Sequence, residues 1–266
     1  MSAKYNEYIS KKLKTHHDEL VKQGFSPVYI ALVGSQNYGI DTEDSDVDTK
    51  AIVLPTLRAV AANERPVSQT VHFDNGEQCD VKDIREMVSC WKKQNVNFLE
   101  VLFTEYYMVH KMYARFFKLL RDRREDIAHY DPLRAIMSSG AQGINKCKAI
   151  EHISPASEEK INKYGYDPKQ LCHAIRMREY CQRYIEGCSF ADCINPVDKK
   201  YLIYVKQGNL LPTIAREIAK ITKEHMEELM YYAKTFFSSK KNEEVDEFMT
   251  DIVYQMLEYY FISGVI

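Results

Sequence analysis

The sequence predicts an α+β protein, with a small mixed-sheet domain over residues 1–130 followed by an all-helical domain over residues 131–266. Three observations carry this expectation. An apolar, partly β-branched run, Val28-Tyr29-Ile30-Ala31-Leu32-Val33, reads as a buried strand that delivers the chain into Gly34. The segments Thr70-Val71-His72-Phe73 and Gln78-Cys79-Asp80-Val81 flank Asp74-Asn75-Gly76-Glu77, which is a hairpin signal. Beyond residue 130, every extended stretch favours helix over strand, and no period suggests internal repeats.

Taken in order, Tyr5, Ile9, Leu13 and Leu20 share roughly one helical face, so the first two dozen residues form an amphipathic helix that ends near Gly24 and packs on the sheet. After the first strand, Ser35 to Tyr38 suits one helical turn, and Gly39 can end it. Ser45 to Leu54 follows as a second strand, whose period of two sends Asp46 and Asp48 to one face and Val47 to the other. Pro55 to Pro66 reads as a loop with a short helix, and the hairpin comes next. Asp83-Ile84-Arg85-Glu86 has the spacing of a helix cap with Glu three residues on, leading into Met87, Val88 and Trp91. The helical half should consist of 132–153, 168–186, 197–207, 212–237 and 243–261.

The chemistry concentrates at Gly34-Ser35 and Asp46-Val47-Asp48. A glycine permits close backbone approach to phosphate, and two carboxylates on one strand face are hard oxygen ligands suited to Mg²⁺. Other readings of these residues fail on detail. Gly34 to Gly39 has the first spacing of a P-loop, but Ile40-Asp41 replaces the Lys and Ser/Thr it needs. Asp44, Asp46 and Asp48 imitate a calcium loop, yet Thr49 stands where its turn glycine belongs and Pro55 where its last Glu belongs. An acidic surface turn is the bland alternative, and Gly34-Ser35 upstream argues against it.

These residues resemble the opening motif of the nucleotidyltransferase superfamily that includes DNA polymerase β, with Gly-Ser after a first strand and Asp-x-Asp on the next. The resemblance implies a third carboxylate on a later strand and two Mg²⁺ ions held by the three. Asp80, in the second hairpin arm, is the choice; Asp83 is better explained as a helix cap and Asp74 as part of the turn. Asn95-Val96-Asn97-Phe98-Leu99-Glu100 and Lys169-Gln170-Leu171-Cys172-His173-Ala174-Ile175-Arg176, with Lys206-Gln207-Gly208, are similar to stretches of predicted phage and bacterial nucleotidyltransferases with a helical region after the α/β domain. Glu100 is assigned to structural support. Lys169, His173 and Arg176 fall at i, i+4 and i+7 and share a helix face, a cationic stripe that could meet nucleotide phosphates, with a solvated helix face as the competing reading. Arg115, Lys118, Arg121, Arg123 and Arg124 are expected to be helix surface with intrahelical ion pairs.

The resemblance thus implies an NTP donor, with ATP expected, bound at Gly34 and Ser35. Asp46, Asp48 and Asp80 would hold the metals, the helical domain would form the other wall of a cleft, and pyrophosphate would leave. The acceptor is left open among an RNA end, a protein hydroxyl and a small molecule. Two rivals also stand: an antitoxin-like partner protein that modifies or masks a toxin, and a silent nucleotide-binding module. Composition sets limits but does not choose. A formal net charge of −2 lacks the global basicity of a non-specific nucleic-acid binder. Seven cysteines without a C-x-x-C pair or a secretory leader suit reduced thiols in a cytoplasm, and Cys181, Cys188 and Cys193 match no common zinc spacing. No apolar run reaches membrane-spanning length.

Overall fold

The computed structural model describes residues 3–43, 45–155 and 157–263, so Asp44 of the rejected calcium loop lies outside them. The chain divides into two compact units, one comprising 1–37, 45–130 and 241–266, the other 38–44 and 131–240. This differs from the expected 1–130 and 131–266, because a short segment after the first helical turn joins the helical unit and the last helix joins the sheet unit.

The first unit begins with α1 (Ala3–Lys22), β1 (Pro27–Val33) and α2 (Ser35–Tyr38), whose last residue already counts with the second unit. β2 (Asp48–Val53), α3 (Leu57–Ala61), β3 (Ser68–His72) and β4 (Gln78–Asp83) follow. Next come α4 (Ile84–Lys92), α5 (Val96–Leu99), a 3₁₀ turn at Glu100–Leu102, β5 (Tyr107–Val109), α6 (Ala114–Asp122) and α7 (Arg124–Ala128). The sheet is mixed, in the order β3-β4-β2-β1-β5, with β2 and β4 parallel and the other neighbours antiparallel. The hairpin and the first strand stand where the sequence puts them. The second strand starts three residues later than expected, at Asp48.

All seven residues of β1 are buried, which is why that strand reads as a continuous apolar run and not an alternating one. Its Ile30 and Leu32 join Ala51, Val53, Val71, Cys79 and Val81 on one face of the sheet, where Ile9, Leu13 and Leu20 of α1 complete a core cluster. His16, fully buried, lies on the same helix face and ties it to two strands: Nδ1 meets Thr49 Oγ1 at 2.8 Å and Nε2 meets Glu77 Oε2 at 3.1 Å. Lys12 Nζ donates to both oxygens of Glu77 at 2.8 and 2.9 Å, and Asn75 Nδ2 donates to the same carboxylate. Burial pushes the His16 pKa down, only partly countered by Glu77. Glu77 is pushed up by burial, but Lys12, His16 and Asn75 outweigh this and hold it below the usual carboxylate range.

At the other side of β1, Tyr29 stacks between Phe117 of α6, 4.4 Å away, and Tyr107 of β5, 5.4 Å away. Arg121 is buried there, its guanidinium 4.2 Å from the Tyr107 ring and donating to Thr104 O at 2.8 Å, so it is not the helix-surface residue expected. Lys118 does pair within α6, with Asp122, while Arg123, between α6 and α7, pairs with Asp126.

The second unit holds α8 (Pro132–Ala149), α9 (Glu158–Tyr164), α10 (Pro168–Ile185), α11 (Phe190–Ile194), α12 (Lys199–Lys206) and α13 (Pro212–Phe236). α8, α10 and α13 pack on one another, and Gly143 makes this possible, since a Cβ there would overlap the Met226 sulfur. Asp131 and Asp167 cap α8 and α10 ahead of Pro132 and Pro168, the arrangement those helix starts require. α14 (Glu243–Ser263) belongs to the first unit because it buries Val245, Met249, Ile252 and Met256 along one face. Its first turns also pair outward, Asp246 with Lys92 at 3.0 Å and Glu244 with Arg123 at 2.8 Å. No helix among the described residues is long and apolar enough to cross a membrane.

Candidate active site

Period two gives the sheet a second character on the face opposite α1. Along β2 and its approach, burial alternates from exposed Asp46 through buried Val47, half-buried Asp48 and buried Thr49 to half-buried Lys50. The register sets Lys50 opposite Asp80 and Thr49 opposite Cys79, so Asp48, Lys50, Asp80 and Lys82 share one face while Thr49, Cys79 and Val81 face the core. Asp48 and Asp80 are therefore diagonal neighbours on adjacent strands. Asp46 precedes the ladder by two residues, and no strand partner fixes its direction.

Gly34, at φ +74°, occupies the left-handed region that favours glycine, and a Cβ there would come within 3.1 Å of Asp48 Oδ2. The glycine thus serves twice: it turns the chain into α2 and lets backbone lie against the Asp48 carboxylate. Ser35, half-buried, follows directly. Gln36, buried behind the turn, accepts from Tyr5 Oη at 2.8 Å and donates to Ser45 O at 3.4 Å, tying the turn to the segment that leads into Asp46.

The two candidate carboxylates in the ladder are already engaged. Asp48 Oδ1 accepts from Gln78 Nε2 at 3.3 Å, and Asp80 Oδ1 lies 3.6 Å from Lys82 Nζ. Burial lowers the Lys50 pKa, while Asp80 and then Asp48 pull it back up. Both lysines lie over one ring, Lys50 Nζ 5.0 Å and Lys82 Nζ 4.6 Å from the centroid of Phe98. Phe98 sits on α5, capped by the Asn95 side chain, and its carbonyl accepts from Trp91 Nε1 at 3.0 Å. Glu100, next in the same stretch, is buried.

Asp83 caps α4, as its spacing predicts. It is 1% exposed, accepts from Arg85 N at 2.8 Å and pairs with the Arg85 guanidinium at 2.7 Å. Among the described residues, no three His, Cys, Asp or Glu side chains are drawn together tightly enough to form a ready metal site. The candidate donors, Asp48 and Asp80 on the sheet face and Asp46 on the approach to β2, are hard oxygen ligands and fit Mg²⁺ in kind.

In the helical unit, Lys169, His173 and Arg176 do not form a uniform exposed stripe. Lys169 is exposed and His173 half-buried, but Arg176 is buried, with its guanidinium 3.9 Å from the Tyr38 ring centroid. Burial drives the His173 pKa well down, and Arg176, Lys146, Lys169 and Lys206 add to the effect, so this imidazole is neutral at neutral pH. Lys206 Nζ donates to Ile40 O at 3.1 Å.

Sequence reasoning missed Lys50, Lys82 and Lys146. The alternation used to place Asp46 and Asp48 on one face also places Lys50 there, and the same period in β4 groups Asp80 with Lys82. Nothing local marks Lys146, which lies on another helix from Lys169.

Residues 6–132 match the family model described as the RNA repair pathway DNA polymerase beta family, RlaP. No curated protein matches the chain. Among solved structures, a nucleotidyltransferase-like protein from Exiguobacterium sibiricum 255-15 is 12% identical over 84% of this chain and 75% of that one, with a TM-score of 0.31. The family match spans the whole sheet, including Gly34-Ser35, Asp46, Asp48 and Asp80, and makes this part of the chain similar to the DNA polymerase β-type nucleotidyltransferases.

Proposed function

We propose that the protein transfers a nucleoside monophosphate from an NTP, with ATP as the donor, to an RNA end and releases pyrophosphate in a Mg²⁺-dependent reaction. The observation that carries this reading is the close approach of Gly34 to Asp48 on the sheet face that also bears Asp80. Gly34 leaves room for phosphate to lie against the backbone, and the Ser35 hydroxyl can donate to a phosphate oxygen. Asp46, Asp48 and Asp80 would hold Mg²⁺, which when bound neutralises phosphate charge and makes an attacking hydroxyl more acidic. The same carboxylates repel the triphosphate when no cation is present, so they also disfavour unproductive binding. Lys169 and Arg176, with neutral His173, are proposed as contacts for nucleotide phosphate. Arg176 supplies a fork already oriented by Tyr38, and Lys169 supplies a mobile point charge.

An RNA end is preferred over a protein hydroxyl or a small molecule because the matching family is described by an RNA repair pathway. The experiment is incubation with each α-labelled NTP and Mg²⁺, comparing RNA with free 3′ ends, protein extract and no acceptor. Label on RNA supports the proposal, whereas label on protein alone moves the acceptor class. The engagement of Asp80 by Lys82 favours the silent nucleotide-binding module as a second reading. ATP binding with no label in any arm would establish that module in place of the enzyme.

A further inference from the structure

We infer that Lys50 and Lys82 are built-in counter-ions of the carboxylate face, holding Asp48 and Asp80 in place without a divalent cation and setting how tightly such a cation binds. The inference rests on the metal-dependent reading above. It starts from register: Lys50 lies directly opposite Asp80 on the neighbouring strand, and Lys82 follows Asp80 on the same face. Lys82 is only 7% exposed, its ammonium 3.6 Å from Asp80 Oδ1 and donating to Ser68 Oγ at 2.7 Å. An ammonium withdrawn from water is costly unless a carboxylate faces it, so the lysines need the carboxylates as much as the reverse.

Phe98 supplies the second half of the argument. Both ammoniums lie over its ring, at 5.0 and 4.6 Å, on a helix fixed by the Asn95 cap and the Trp91 hydrogen bond. The ring attracts a cation without neutralising it, so the lysines keep a favourable position when the carboxylates turn to another partner. A divalent cation entering the site therefore competes with two ammoniums that are close by and able to yield. Such competition weakens metal binding, and the same ammoniums offset the mutual repulsion of the carboxylates.

Replacing Lys50 or Lys82 by Met removes the charge and keeps most of the chain length. Calorimetric titration of the whole protein with Mg²⁺, and with Mn²⁺ as a tighter probe, should show each variant binding about tenfold more tightly than wild type. Melting of the metal-free protein gives an independent reading. Asp80→Asn should lower the melting temperature less in the Lys50→Met background than in wild type, since the charge partner is already gone. Unchanged or weaker metal affinity in both lysine variants, or additive melting shifts for Lys50 and Asp80, would overturn the inference. Asp48→Asn is the control. Mg²⁺ binding that survives in it would place the cation elsewhere and defeat the functional proposal, whereas the Lys50 and Asp80 melting cycle still judges the lysines.

Discussion

The two faces of β2 are built from alternate residues of one short strand, yet they solve opposite problems. On the α1 side, Thr49 meets His16, His16 meets Glu77, and Glu77 takes Lys12 and Asn75, so the buried Thr49, His16 and Glu77 have matched donors and acceptors. On the other side, half-buried Asp48, Lys50 and Asp80 and buried Lys82 stand at looser distances, with 3.6 Å between Lys82 Nζ and Asp80 Oδ1 and a glycine pressed against Asp48. The first face is a closed set of matched hydrogen bonds, and the second is a set of charges of both signs held at longer range. A strand can supply both because its period of two insulates one face from the other. Substitutions should therefore separate, moving stability from one side and chemistry from the other.

The largest effect should come from Asp46→Asn or Asp48→Asn, each lowering transfer on the order of a thousandfold while circular dichroism and melting stay near wild type. Loss of folding in place of activity would erase the contrast between faces. His16→Leu should do the opposite and cost about 3 kcal/mol in urea unfolding, since it removes the ring partner of the Thr49 hydroxyl and strips a buried carboxylate of one donor. The same network makes the fold acid-sensitive. His16 and Glu77 both have folded pKa values lowered from 6.5 and 4.5, so the unfolded chain binds protons that the folded one refuses. The stability that these two groups contribute should be present above pH 6.5, the His16 share being lost as pH falls below that value and the Glu77 share as it falls below 4.5. A flat stability profile between pH 7 and 5 would detach His16 from the network.

Gly34→Ala sharpens the comparison because it touches both accounts. Strain at positive φ should cost about 1–2 kcal/mol, and the added Cβ should displace Asp48 enough to reduce turnover by more than the lost stability explains. Asp83→Asn should cost about 1 kcal/mol through the cap with turnover retained, whereas Asp80→Asn should lower turnover by far more than its loss of stability explains. The reverse ranking, read by kinetics and melting together, would reassign the third carboxylate. Smallest should be Lys169→Ala, which is exposed and should leave the melting temperature within about a degree of wild type. Arg176→Ala should melt lower, because its side chain is buried against Tyr38.

Much of this was legible in local pattern. The run into Gly34, the hairpin around Asn75-Gly76 and the Asp-Pro starts of α8 and α10 each contain their own cause within a few residues. The lysines on the site face were legible by the same alternation that placed the aspartates, and were passed over because a lysine in a strand invites no metal. His16 continues the helical face of Ile9, Leu13 and Leu20, but its partners Thr49 and Glu77 come from distant strands, so its burial could not be read from α1 alone. β5, with three residues, is too short to show a period, and Arg176 is buried by a tyrosine far away in the chain. α14 shows an apolar face without stating which unit will cover it.

That last helix also orders events in time. The sheet unit starts with residues near the N-terminus and is completed by 243–263, with the entire helical unit encoded between them. During synthesis, therefore, the helical unit has all of its residues before the sheet unit does. Until α14 arrives, the apolar surface it will cover must wait, and Lys92 and Arg123 lack the carboxylates of Asp246 and Glu244. A chain halted near residue 240 would carry the candidate carboxylates on an unfinished support, so premature termination should yield inactive protein even though no candidate catalytic residue has been lost.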